Sequence, residues 1–267
     1  MKKYLSFFRL RFSMGLQYRA AALAGIVTQF VWGTMEILIF RAFYASDPSA
    51  FPMTLEATSA YVWLQQAFLA LFMGWVLEND IFEAISKGNI AYELCRPIDI
   101  YNMWYFRTAA NRLSRAVLRC MPILIVAALI PKPYGLALPA SPAAAAGFIL
   151  GAVLGLAVTV AITMLIYILT FFTISPAGVR MVATSVTDFF SGSIIPLPFF
   201  PDKLRTVMEL LPFASMQNVP LRIYSGDLAH AAALRALGLQ LFWLAALVLL
   251  GKLLMGRAYK NIIVQGG

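Results

Sequence analysis

Histidine, cysteine and charge are what this chain has least of. His230 is the only histidine, and Cys95 and Cys120 are the only cysteines. So few ligands leave no His/Cys cluster from which a metal site could be built. The chain has no G-x-x-x-x-G-K-[ST] phosphate loop, so ATP chemistry of that type is not its own, and no G-x-S-x-G elbow. Charged residues are 12% of the 267, where soluble domains carry about a quarter. The basic N-terminus lacks a compact apolar core followed by a cleavage site and reads as mature sequence.

Apolar sequence is abundant instead. Hydrophobic residues make up 61% and the mean hydropathy is +0.79, against about 45–50% apolar in soluble domains. The composition is that of an all-α integral membrane protein. Basic residues outnumber acidic ones, 21 to 12, for a formal net charge of +9. Most flank apolar runs, where the positive-inside rule and anionic membrane lipids account for them. No nucleic-acid-binding module accompanies that charge, so no nucleic acid is expected as a partner.

Six spans follow, at residues 20–44, 57–77, 108–130, 143–172, 176–195 and 231–255, within one transmembrane domain over residues 1–267. Lys2, Lys3, Arg9, Arg11 and Arg19 precede the first span, and Lys252, Arg257 and Lys260 end the sixth, which places both termini in the cytoplasm. Within residues 1–18, Leu5, Phe8, Phe12 and Leu16 share one helical face. That is the pattern of an amphipathic interfacial helix, with a plain basic tail as the alternative. The segment 47–52 turns outside. The apolar part of the third span is too short to cross, so its helix must begin near Thr108 and carry Arg112, Arg115 and Arg119 inward. These three snorkel to lipid phosphates, pair with other spans, or line an inward cavity. Gly147, Gly151 and Gly155 form a ridge for close helix contact in the fourth span. Ser175 and Pro176 read as N-cap and first residue of the fifth. Prolines then divide residues 196–227 into two short amphipathic pieces, an outer re-entrant hairpin or a pair resting on the outer leaflet, and Asp227 can cap the sixth span.

The longest polar interruption, residues 78–99, lies on the cytoplasmic side. Ile81, Phe82 and Ile85 fall on one side at helical spacing. Glu78, Asp80, Glu83 and Lys87 take the rest, with Glu83 and Lys87 as a favourable i,i+4 pair. Gly88 can stop this helix, and Asp99 can cap the next. The stretch is either a helix that docks in a groove of another protein or a solvated loop with one helical turn. Two carboxylates, Glu36 and Asp188, lie at membrane depth. Such groups serve a pathway, or are protonated or paired and only fix packing.

The order of these features resembles the ABC-2 permease class, the membrane subunits of ABC exporters. The resemblance rests on the N-terminal helix, on Lys87-Gly88-Asn89-Ile90 with Glu93-Leu94-Cys95-Arg96-Pro97, on Ser191-Gly192-Ser193-Ile194-Ile195-Pro196-Leu197 followed by Phe200-Pro201 and Leu211-Pro212-Phe213, and on the basic tail. It implies a non-catalytic permease in a bacterial inner membrane, paired with a second permease, identical or different. A dimer of ABC ATPase subunits would hold the ATP and Mg, so this chain would bind no cofactor. The stretch from Glu78 to Gly88 would be the coupling helix, with Glu78, Asp80, Ile81, Phe82, Glu83, Ile85, Lys87 and Gly88 as docking residues. Gln29, Glu36, Gln65, Thr184, Asp188 and Ser191 would line the path, with Pro196, Phe199 and Phe200 at its outer gate. Two other classes were weighed. An intramembrane lipid-modifying enzyme needs convergent nucleophile, base or metal ligands, and one histidine at an outer edge leaves that set incomplete. A channel or secondary carrier would transport without an ATPase.

Overall fold

Apolar runs punctuated by prolines and cap residues fold as helix throughout. The computed structural model describes residues 2–47, 51–173 and 175–261, and among these it forms twelve α-helices and no strand. They are α1 (Lys2–Gly15), α2 (Arg19–Ser46), α3 (Leu55–Ala67), α4 (Leu69–Phe72), α5 (Asn79–Ser86), α6 (Ile90–Leu94), α7 (Ile100–Leu129), α8 (Pro142–Leu169), α9 (Pro176–Phe190), α10 (Asp202–Leu210), α11 (Asn218–Ser225) and α12 (His230–Ala258). Three are long and apolar enough to cross a membrane: α2, α8 with its extension to Phe172, and α12. The tip of the outer turn, residues 48–50, and the inner connection at residue 174 lie outside the described residues.

The remaining predicted spans differ from their expected form. The second is broken. Helix stops at Ala67, resumes for four residues as α4, and gives way to irregular chain from Met73 to Glu78. A hydropathy run does not register such a break, because apolar residues continue through it. The third starts earlier than expected: Asp99 caps α7 by accepting the Asn102 N–H at 2.7 Å, and the helix runs 30 residues from Ile100, about 45 Å. The fifth is short. Helix α9 has 15 residues, about 22 Å, and the chain turns at Gly192 with φ +78°.

The main core lies between α5, α7, α8 and α12, around Trp104, Met164, Tyr167, Ile81 and Phe82. In lipid, close packing and interhelical hydrogen bonds hold helices together more than apolar burial does. The glycine ridge of α8 shows this. Its partner is the segment 212–225: a Cβ on Gly155 would lie 2.1 Å from the Met216 carbonyl oxygen, and one on Gly151 would touch Pro220. Gln240 of α12 donates to the carbonyls of Ser215 (2.8 Å) and Gly151 (3.1 Å). Helix α11 is therefore buried against α8 and α12, while α10 buries only Met208. Arg222 of α11 binds both Glu209 and Asp227. Asp227 is thus an ion-pair partner, and α12 begins later, at His230.

Helix α1 packs against a neighbouring helix, as its apolar face leads one to expect. It runs alongside the first half of α7, with Tyr4 stacked on Phe106 at 5.8 Å and Lys3 donating to the Pro97 carbonyl at 3.0 Å. Tyr4, Phe7 and Arg11 are half-buried, whereas Leu5 stays exposed.

Candidate functional site

Three helices and one loop bring the predicted polar residues together. Gln29 and Glu36 of α2, Gln65 of α3 and Asp188 of α9 line one cavity of about 770 Å³, together with Gln66, Trp32, Trp75, Ser193 and Arg119. Both amide atoms of Gln29, one carboxylate oxygen of Glu36, the side-chain oxygens of Gln65 and Gln66, and Nε of Arg119 are buried with no hydrogen-bond partner among the described residues. Left unpaired, each such group costs about 1–3 kcal/mol. These atoms have almost no accessible surface, so an occupant of the cavity would meet them only after their side chains turn.

Two predicted path residues stand elsewhere. Thr184 donates to the Arg180 carbonyl of its own helix at 2.7 Å, and Ser191 is buried, donating to the Asp188 carbonyl at 3.3 Å. The predicted outer-gate residues form an aromatic cap next to α2. Pro196 is buried, Phe199 packs on Phe40 at 5.0 Å and Phe51 at 5.7 Å, and Phe200 meets Phe189 edge-on.

The irregular chain from Met73 to Glu78 joins this cavity to α5, and side chains from three helices hold it. Arg112 of α7 is fully buried. Its guanidinium donates to the carbonyls of Ala70 (3.4 Å), Leu71 (3.3 Å), Met73 (3.0 Å) and Val76 (2.8 Å), and to Thr163 Oγ1 (3.0 Å). Irregular backbone at membrane depth is tolerated only where protein satisfies it in this way. Asp188 accepts the Gly74 N–H at 3.0 Å, and a Cβ on Gly74 would sit 3.1 Å from the same carboxylate oxygen. The Tyr167 hydroxyl of α8 accepts the Glu78 N–H at 2.9 Å. Arg112 thus parts from Arg115 and Arg119, with which it shares a helical stripe.

Glu78 is a latch within the chain. Its carboxylate accepts from Arg107 Nε (2.6 Å), Asn111 Nδ2 (2.6 Å) and Thr108 Oγ1 (3.1 Å), and Arg107 also binds Asp80 at 2.9 Å. The apolar side of α5 faces inward too. Ile81 and Phe82 are buried, Phe82 edge-on to Tyr167 at 5.0 Å, and Ile85 is half-buried against the same core. These residues are therefore not free to enter a groove on another protein. Asn79, Asp80, Glu83, Ser86 and Lys87 are the exposed residues of the helix and its end. Glu83 and Lys87 pair at 2.8 Å, and Gly88 ends the helix with φ +73°. Arg180 of α9 donates to Asn79 at 2.9 Å and lies over the Phe82 ring.

Sequence reasoning missed Gln66, Trp75 and Ser193 as cavity residues, and Arg107 and Tyr167 as anchors; a cavity lining was one of the alternatives it left open for Arg119. The Gln65-Gln66 pair inside an apolar run was a signal for the first. Tyr167, inside a continuous apolar run, carried none.

The family model described as "ABC-2 family transporter protein" matches residues 30–266, nearly the whole chain. No curated protein and no solved structure matches the chain. A match of that length, on a bundle with several membrane-length helices, places the chain in the ABC-2 transporter family as a multi-pass membrane permease.

Proposed function

We propose that this permease is the transmembrane subunit of an ATP-driven exporter in a bacterial inner membrane, with six crossings and both termini cytoplasmic. An ABC ATPase dimer carrying ATP and Mg binds below, and a second permease, identical or different, completes the pathway. The carrying observation is the direct linkage of the polar cavity to α5. Asp188 lines the cavity and holds Gly74, and four residues later Glu78 opens the cytoplasmic helix. A displacement of α5 by the ATPase would pass through irregular chain to the cavity wall, which is how ligand binding at one place biases the conformation of another. Helix α9 takes part twice, through Asp188 in the cavity and Arg180 on Asn79. Pro196, Phe199 and Phe200 form the outer gate in this reading.

The ATPase contact falls to the exposed side of α5, namely Asp80, Glu83 and Lys87. Exchanging the charges with Glu83→Lys and Lys87→Glu together keeps their exposed i,i+4 pair, which contributes only a few tenths of a kcal/mol to stability. Capture of the ATPase by the tagged double variant is expected to fall roughly tenfold, with unchanged permease yield, because reversed charges meet the partner's complementary ones. Undiminished capture would sink the docking assignment.

A further inference from the structure

A second cavity, of about 440 Å³, opens where α1, the start of α2, α7 and the beginning of α5 meet. Four arginines line it: Arg11, Arg107, Arg115 and Arg119. Its two carboxylates, Glu78 and Asp80, are both engaged with Arg107. Arg11, Arg115 and Arg119 have no carboxylate partner among the described residues. Formally the cavity keeps an excess of two positive charges. Burial first, and the Arg107 guanidinium second, push the Arg11 guanidinium below its ordinary value, against the pull of Glu78, Asp80 and Glu93. The lining also holds apolar side chains, among them Met14, Ala21, Ala22, Leu77 and Leu118. A lining that combines guanidinium groups with apolar side chains suits an amphiphile better than a free ion.

Arg119 stands in the walls of both cavities. Its guanidinium lies against Gly25 of α2, where a Cβ would be 2.5 Å from Cζ. Arg107, Asn111, Arg115 and Arg119 recur at every fourth position of α7. They form a ladder about 18 Å long, more than half the thickness of a bilayer core of about 30 Å. Arginine is suited to phosphate because its planar fork donates two parallel hydrogen bonds.

We propose that the cytoplasmic cavity loads an amphiphile bearing a phosphate group, which Arg11 and Arg115 receive and Arg119 passes to the inner cavity. The proposal deepens the exporter reading and rests on it for the direction of travel. Binding itself needs no ATPase.

The test uses the full chain in phosphatidylcholine nanodiscs doped with a photoreactive phosphatidic acid. Crosslinks are expected at residues 11–22 and 111–119. The Arg115→Gln, Arg119→Gln double variant should lose label roughly tenfold, because each guanidinium contributes a charge-assisted hydrogen bond. Arg119→Lys should recover part of it. Arg11→Gln leaves α7 untouched and should also lower labelling, so the proposal stays testable if the double variant folds poorly. Arg9→Gln, at an exposed position outside the cavity, should change nothing. Equal labelling by a photoreactive diacylglycerol, or labelling indifferent to all cavity variants, would overturn the proposal. Displacement of the probe by inorganic phosphate would make this a soluble-anion site and overturn it as well. A probe that excess unlabelled phosphatidic acid cannot chase is a structural lipid, which overturns the loading role. ATPase capture is measured on the same preparations. Specific labelling without capture would fault the exporter reading and keep the site; capture without labelling would do the reverse.

Discussion

Arg112 stands in for a turn of helix. Where the chain leaves α4, the carbonyls of Leu71 and Val76 lack the amides that a continuing helix would supply and that of Met73 keeps only a 3.4 Å bond from the Val76 N–H, and one guanidinium donates to all three. A lysine has three donors at a single point and no fork to spread across those acceptors. Asp188 serves the same segment from the other side, through Gly74. Its carboxylate has two duties that substitution separates. Asparagine keeps an oxygen for the Gly74 N–H and removes the charge; alanine removes both. Asp188→Ala is expected to lower stability by about 1–3 kcal/mol, and Asp188→Asn by clearly less, in thermal unfolding of the purified protein. Both should depress transport-coupled ATP turnover. The sequence marked Asp188 because a carboxylate at membrane depth stands out. It could not separate Arg112 from Arg115 and Arg119, since spacing fixes where a Cα sits on a helix. Where a long guanidinium reaches depends on neighbours from other helices.

Among the elements, periodicity proved informative about which face is apolar and silent about what covers it. Helix α5 has the expected apolar side, yet that side closes on Tyr167 and the chain's own core. The glycine ridge of α8 was legible as a close contact, but its partner lies some sixty residues later in sequence, in a segment that reads as a re-entrant hairpin or a pair of pieces on the outer leaflet. The break in the second predicted span was not legible, because apolar residues run on through it and the compensating arginine is on another helix. The Gly155 contact admits a sharp test. A leucine there must displace the Met216 backbone, and overpacking of this kind destabilises by typically 1–3 kcal/mol. Gly155→Leu should therefore lower the thermal midpoint distinctly. Gly238→Ala, where a Cβ meets nothing within 4 Å, should leave it unchanged or raise it slightly.

For the whole molecule, orientation decides whether a cytoplasmic engine can reach α5. The chain carries its own probe, since Cys95 is exposed in the 78–99 stretch and Cys120 is only partly so. A membrane-impermeant maleimide should label Cys95 in inside-out vesicles and not in right-side-out ones; the reverse pattern would rule out the proposed topology. All-α architecture was readable from the apolar runs. The way two cavities share Arg119 was not, because it depends on how α1 and α2 lean on α7. One last feature reaches beyond the single chain. Of the fifteen residues of α9, Thr187 alone is buried. Most of its surface is thus left for whatever flanks it in the bilayer. Yet it carries the carboxylate that fixes Gly74 and the arginine that steadies Asn79. In the proposed pairing with a second permease, exchanging that neighbour would retune the transmission without altering a residue of this chain.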